Sequence, residues 1–77
     1  MQNVDPELYR EAFTVFLKSI MKTHNWTLTE LAQDVGISRT ALSNWVNGYK
    51  WPSMYNIMVI ADHFGVTLDE MFGRKVK

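Results

Sequence analysis

Apolar residues recur at helical spacing along the whole chain. Tyr9, Phe13, Phe16 and Ile20 follow one another at intervals of three or four, which places them on one stripe of a helix. Such spacing returns four more times, and no segment shows the sustained alternation typical of a strand. The pattern predicts one all-α domain, a compact five-helix bundle with helices at 5–23, 27–35, 38–47, 53–64 and 67–72 and a basic tail at 73–77.

Capping signals mark the ends of these helices. Residues suited to N-capping are Asp5, Thr27, Ser38 and Thr67. Glu30 and Glu70 follow two of these threonines at the spacing of a capping box, in which hydroxyl and carboxylate bind otherwise unpaired amides. Gly36 is expected to end the second helix in the left-handed conformation that glycine adopts readily. The second and third helices should therefore be joined by a tight turn.

Composition excludes several classes of protein. The chain has 77 residues and no cysteine, so it has neither a disulfide framework nor a thiolate metal site. His24 and His63 are far apart and have no patterned carboxylates around them. No nucleophile and base pairing and no glycine-rich phosphate loop is visible. We expect no enzyme, no metal, no cofactor and no small-molecule ligand.

The sequence also gives no sign of a membrane segment or a leader peptide. No stretch approaches the roughly 18 to 20 apolar residues that a membrane span requires. The first residues have neither a basic leader nor a cleavable apolar core. A cytoplasmic protein without membrane contact is expected.

The second and third predicted helices, with the turn between them, form the most informative segment. A helix, a short turn containing glycine and a second capped helix make up the helix-turn-helix arrangement, whose second helix enters the major groove of DNA. Leu42 and Trp45 should face inward in the third helix. The residues on its opposite side are Arg39, Thr40, Ser43, Asn44 and Asn47.

From about Leu17 to Phe72, the chain resembles the phage repressor and Cro type of helix-turn-helix domain, also called the Xre family. The positions that carry the resemblance are Thr27, Leu31, Ala32, Gly36, Ile37, Ser38, Leu42, Trp45, Asn47, Gly48, Pro52, Ile60, Ala61, Phe64, Gly65, Val66, Leu68, Asp69, Glu70 and Met71. This resemblance implies a five-helix domain that binds double-stranded DNA, usually as a homodimer on a palindromic operator. A sequence-specific transcriptional regulator is expected, with repression as its outcome.

The resemblance assigns base and phosphate contacts to particular residues. It implies base contacts from Arg39, Thr40, Ser43 and Asn44. Their chemistry agrees, because arginine can bind guanine O6 and N7 and asparagine can bind adenine. Phosphate contacts are expected at Thr27, Leu28, Thr29, Ser38, Asn47, Tyr49 and Lys50. Because Leu28 is apolar, its contact would come from the backbone amide at the start of the second helix.

The distribution of charge also bears on a nucleic-acid partner. Eight basic and eight acidic residues give a net charge of zero, whereas nucleic-acid-binding domains usually carry a basic excess. Residues 35–61, however, contain Arg39 and Lys50 and no acid. Residues 62–72 contain three acids and neither lysine nor arginine. The predicted DNA-binding face is therefore locally positive within a neutral chain.

The first helix is more apolar than one buried side requires, which leaves two interpretations open. The additional apolar residues can cover a small core, or they can form a homodimer contact. Candidate dimer contacts are Phe13, Phe16, Leu68, Met71 and Phe72. The alternative function is a protein-interaction module of the same fold, such as an antitoxin or antirepressor, with secondary DNA binding.

Overall fold

The computed structural model describes residues 6–74, which form five α-helices and no strand. The helices are α1 (Pro6–His24), α2 (Leu28–Val35), α3 (Arg39–Val46), α4 (Met54–Phe64) and α5 (Leu68–Met71). The predicted all-α fold with five helices is confirmed. Each helix begins and ends within one residue of its predicted position. Most of the one-residue differences arise because the predicted ranges included the caps. Asp5, the predicted first cap, and residues 75–77 lie outside the described residues.

Both predicted capping boxes form. At the start of α2, the Thr27 hydroxyl accepts the Glu30 amide at 3.2 Å and the Glu30 carboxylate accepts the Thr27 amide at 2.7 Å. Thr67 and Glu70 repeat this arrangement at the start of α5. Gly36 ends α2 with φ of 75° and donates its amide to Ala32 O at 2.9 Å. Local chemistry thus fixes the turn before α3.

The core takes side chains from all five helices. The most deeply buried large side chains are Phe13, Leu17, Leu31, Leu42, Ile60 and Met71. Trp45 is also buried, with its ring centroid 6.1 Å from that of Phe13. The Phe13 ring also stacks on Phe72, with 5.4 Å between the ring centroids. The first and third helices are therefore joined by aromatic contacts at the centre of the domain.

The core corrects two of the predicted dimer contacts. Phe13 and Met71 are almost completely excluded from solvent within one chain, so a partner cannot touch them and their assignment is wrong. Helical spacing shows which residues share a stripe but not which part of a broad apolar surface faces inward. Phe16 and Phe72 are half-buried, and Leu68 keeps 44% of its surface exposed.

The inner side of α3 is held in three ways. Leu42 is fully buried, Trp45 packs in the aromatic cluster, and the Thr14 hydroxyl of α1 donates to Trp45 O at 2.8 Å. The Trp45 carbonyl lies near the end of α3, where helical carbonyls lack partners within the helix, and it also accepts the Gly48 amide at 3.1 Å. These contacts hold α3 in place, and its outer side faces solvent.

Within residues 6–74, no helix is long and apolar enough to cross a membrane.

Candidate nucleic-acid interface

The outer side of α3 carries polar side chains that remain accessible. Arg39 and Thr40 are exposed in its first turn, and Ser43 and Asn44 are partly exposed one turn later. Ser38 caps the helix, its hydroxyl accepting the Ala41 amide at 3.1 Å. All four predicted base-contact residues therefore share the surface opposite the core. They present guanidinium, hydroxyl and amide groups, which can bind base edges in a major groove.

The start of α2 provides backbone amides beside this surface. Leu28 and Thr29 lie in its first turn, where N–H groups have no acceptor within the helix and the helix dipole favours an anion. The Thr27 amide is already bound by the Glu30 carboxylate. The Thr27 amide is therefore occupied in the cap, while the Thr27 O–H can still donate to a phosphate, and the Leu28 and Thr29 amides suit a phosphate.

The predicted phosphate contacts after α3 have different local roles. The Asn47 amide nitrogen donates to Ser43 O at 2.9 Å and to the Ser43 hydroxyl at 3.3 Å, so this side chain caps the helix that it follows. Gly48, with φ of 74°, turns the chain away from the helix. Tyr49 and Lys50 then stand exposed, and Tyr49 keeps 73% of its surface in solvent. Lys50 is the cation of this loop.

A side-chain hydrogen bond connects the beginnings of α2 and α3. Nε of Arg39 donates to the Thr29 hydroxyl at 3.0 Å. Both residues are predicted DNA contacts, Arg39 with a base and Thr29 with a phosphate, but nothing in the sequence indicates the bond between them. Their ten-residue separation spans a turn, so only the crossing of the two helices brings them together.

The acids of α2 have partners within the described structure. Besides the cap at Glu30, Oδ2 of Asp34 lies 2.7 Å from Nε2 of His63 in the last turn of α4. Neither Arg39 nor Lys50 makes a salt bridge anywhere in residues 6–74. These two cations therefore remain available to a polyanion. The Asp34 and His63 pair has no signal in the sequence, because 29 residues separate its members.

Sequence comparison places the chain among helix-turn-helix proteins. The profile of the family described as helix-turn-helix matches residues 17–71. The chain is 34% identical over 59 residues to the HTH-type transcriptional regulator AnsR of Bacillus subtilis, covering 77% of this chain and 51% of AnsR. It is 40% identical over 57 residues to the antitoxin PezA of Streptococcus pneumoniae, covering 74% of this chain and 36% of PezA.

A solved structure supports the fold. A transcriptional regulator from Listeria innocua superposes with a TM-score of 0.70 at 18% identity, covering 84% of this chain and 61% of that one. The chain spans about half the length of AnsR and about a third of PezA.

Proposed function

The chain belongs to the helix-turn-helix family of the phage repressor and Cro type, and on this premise we propose that it regulates transcription by reading double-stranded DNA with α3. The observation that carries this proposal is that two candidate DNA-binding surfaces lie side by side. The accessible polar side of α3 lies beside the first turn of α2, and the bond from Arg39 to Thr29 joins them. Base contacts can thus be made together with phosphate contacts.

Each side chain on α3 has a distinct proposed role. The guanidinium of Arg39 would bind guanine O6 and N7, and the Asn44 amide would bind adenine N6 and N7. Thr40 offers a methyl group to thymine, and Ser43 offers a hydroxyl to either kind of base pair. We propose repression as the outcome, because it requires only that the operator be occupied. Such a role places the protein in the cytoplasm with its DNA.

Selection of bound duplexes from a random pool tests this function directly. We expect the wild-type protein to enrich one short motif, repeated in inverted orientation at a spacing near one helical turn or a multiple of it. Enrichment of a single half-site would support base reading but not pairing of two chains. If no motif is enriched at low salt, sequence-specific DNA binding by this chain is refuted.

Replacing Lys50 with alanine should weaken binding to every DNA sequence alike. The exposed ammonium has no salt bridge within residues 6–74, so its proposed role is charge attraction to a phosphate. Loss of one such contact lowers the dependence of log affinity on log salt concentration by about one unit. Titrations of operator and random duplexes at several salt concentrations measure this slope. A slope equal to that of the wild type would show that Lys50 does not contact phosphate.

We propose that two chains bind a palindromic operator. Among the predicted contacts, Leu68 remains accessible, and the exposed side of α4 adds Met54, Tyr55 and Met58. Burial of such apolar surface is what a homodimer contact would supply. Light scattering at micromolar concentration should find two chains on a palindromic duplex and one on a half-site duplex.

Two matched variants locate the surface that joins these chains. Leu68→Ser changes α5 and Met58→Ser changes α4, and both remove an exposed apolar side chain. The variant that lowers the fraction of complexes with two chains identifies the contact. If the wild-type protein binds the two half-sites without cooperativity, this result would contradict the homodimer.

The second candidate function is a protein-interaction module, and the similarity to the antitoxin PezA favours it. In that case the exposed apolar side chains would serve a different protein, and DNA affinity would be secondary. The dependence of binding on salt separates the two functions. A DNA reader loses affinity steeply as salt rises, whereas an apolar protein contact changes little.

A further inference from the structure

The bond between Arg39 and Thr29 constrains the side chain that is expected to read a base. Arg39 is the first residue of α3, and Thr29 is the second residue of α2. Nε of the guanidinium donates to the threonine hydroxyl at 3.0 Å. Both residues are exposed, and no carboxylate within residues 6–74 forms a salt bridge with Arg39. Thr29 is therefore the polar group that orients this guanidinium in the free protein.

The bond to Thr29 leaves the end of the guanidinium unoccupied, and this is the part that would contact a base. Arginine has five N–H donors, and the bond through Nε uses one of them. The two terminal NH₂ groups keep four donors, which suffice for paired bonds to guanine O6 and N7. An arginine that is already oriented also loses less rotamer freedom on binding. The geometry therefore favours a bidentate contact from the end of the side chain.

The Thr29 hydroxyl can serve a second partner at the same time. Its oxygen accepts the proton of Arg39 Nε, while its own O–H can still donate. Thr29 lies in the first turn of α2, where the amides face the position expected for a phosphate. A phosphate bound there would align the hydroxyl and, through it, the guanidinium.

We propose that Thr29 is a positioning residue for specificity. Its hydroxyl couples the DNA backbone contact of α2 to the base contact of Arg39 and fixes the base pair that this arginine prefers. This inference rests on the proposed function, since it requires that α3 reads DNA. It extends that function by assigning specificity to a residue of the neighbouring helix.

The bond itself can be tested in the free protein. Thr29→Val removes the hydroxyl at nearly constant shape, and Thr29→Ser keeps it. Thr29 is exposed and does not cap a helix, and threonine and valine have similar helix propensities, so neither variant should unfold the domain. Nuclear magnetic resonance should show slower hydrogen exchange of Arg39 Nε–H in wild type and Thr29→Ser than in Thr29→Val. Equal exchange in all three proteins would overturn the proposal.

The role of the bond is tested by base discrimination. The probes are the duplex selected by the wild-type protein and the same duplex with the Arg39 base pair exchanged. Thr29→Val should lower the ratio of the two affinities by roughly three- to tenfold, the range of a single hydrogen bond. Thr29→Ser should retain most of the ratio. A general loss of phosphate affinity lowers both affinities and leaves the ratio unchanged, and this outcome would overturn the proposal.

A double-variant comparison separates this inference from the proposed function. With Arg39 replaced by alanine, Thr29→Val should have no further effect on the ratio at that base pair. A further effect of the same size would show that Thr29 does not act through Arg39. If the wild-type protein selects a motif but Thr29→Val keeps its discrimination, only this inference fails. If the wild type selects no motif, the proposed function fails, whatever the exchange experiment shows.

Discussion

Replacing Leu42 with alanine is expected to lower the free energy of unfolding by about 2–5 kcal/mol. The Leu42 side chain is completely buried and fills the core directly behind the outer face of α3. Its truncation loses apolar burial and leaves a cavity that the surrounding helices can close only in part. A domain of this size has only about 3–5 kcal/mol of stability in total. A large fraction of the variant should therefore be unfolded at room temperature.

Urea denaturation followed by circular dichroism measures this loss, and Leu8→Ala provides the matched control. Leu8 lies in α1 with 62% of its surface exposed, so the same chemical change should alter stability by no more than about 0.5 kcal/mol. A loss below about 1 kcal/mol for Leu42→Ala would show that the core does not depend on this side chain. The variant should also lose DNA binding. Leu42 makes no proposed DNA contact itself, but its side chain holds α3 in the fold.

The elements with local chemical signals could be predicted from the sequence. Thr27 and Thr67 each precede a glutamate by three positions, and both form the reciprocal capping bonds that this spacing predicts. Gly36 takes the left-handed conformation that was expected between α2 and α3. In each case the information lies within a few residues, so it does not depend on how the helices pack. The family resemblance covered the same elements and is confirmed by the profile match.

Contacts between distant parts of the chain could not be predicted in the same way. The bond from Arg39 to Thr29 depends on the crossing of two helices, and the pairing of His63 with Asp34 depends on where α4 ends. Neither leaves a periodic pattern in the sequence. The incorrect assignment of Phe13 to a dimer contact has the same origin. A helix with a broad apolar surface has several sides that could face the core, and packing decides between them.

The neutral charge of the chain is compatible with the proposed DNA contact. Glu30 lies in the first turn of α2, near the expected phosphate position, and its carboxylate is bound in the capping box, whereas Asp34 lies in the last turn and pairs with His63. The nearby cations Arg39 and Lys50 make no salt bridge in residues 6–74. The proposed DNA-binding face carries few cations, so non-specific affinity should be low. Base contacts must then supply a correspondingly large share of operator affinity.

Replacing Arg39 with alanine is accordingly expected to reduce operator affinity by about 1–3 kcal/mol, or roughly 5- to 150-fold. The guanidinium is exposed in the first turn of α3, oriented by Thr29 and unpaired with any acid among residues 6–74. Its bidentate contact with guanine would be lost, and α3 carries no second arginine that could replace it. Competition titrations of the selected operator against duplexes altered at single positions measure the loss at each base pair.

The distribution of that loss distinguishes a base contact from a charge contact. If Arg39 reads guanine, the variant should lose discrimination at one base pair of each half-site and keep it at the others. Lys50→Ala removes the same charge from another proposed DNA contact and should keep discrimination everywhere, so it controls for simple electrostatic attraction. Arg39→Lys should recover the charge but not the bidentate geometry. An equal loss of affinity for operator and random DNA in Arg39→Ala would show that this arginine binds phosphate, and the base reading assigned to the first turn of α3 would then be wrong.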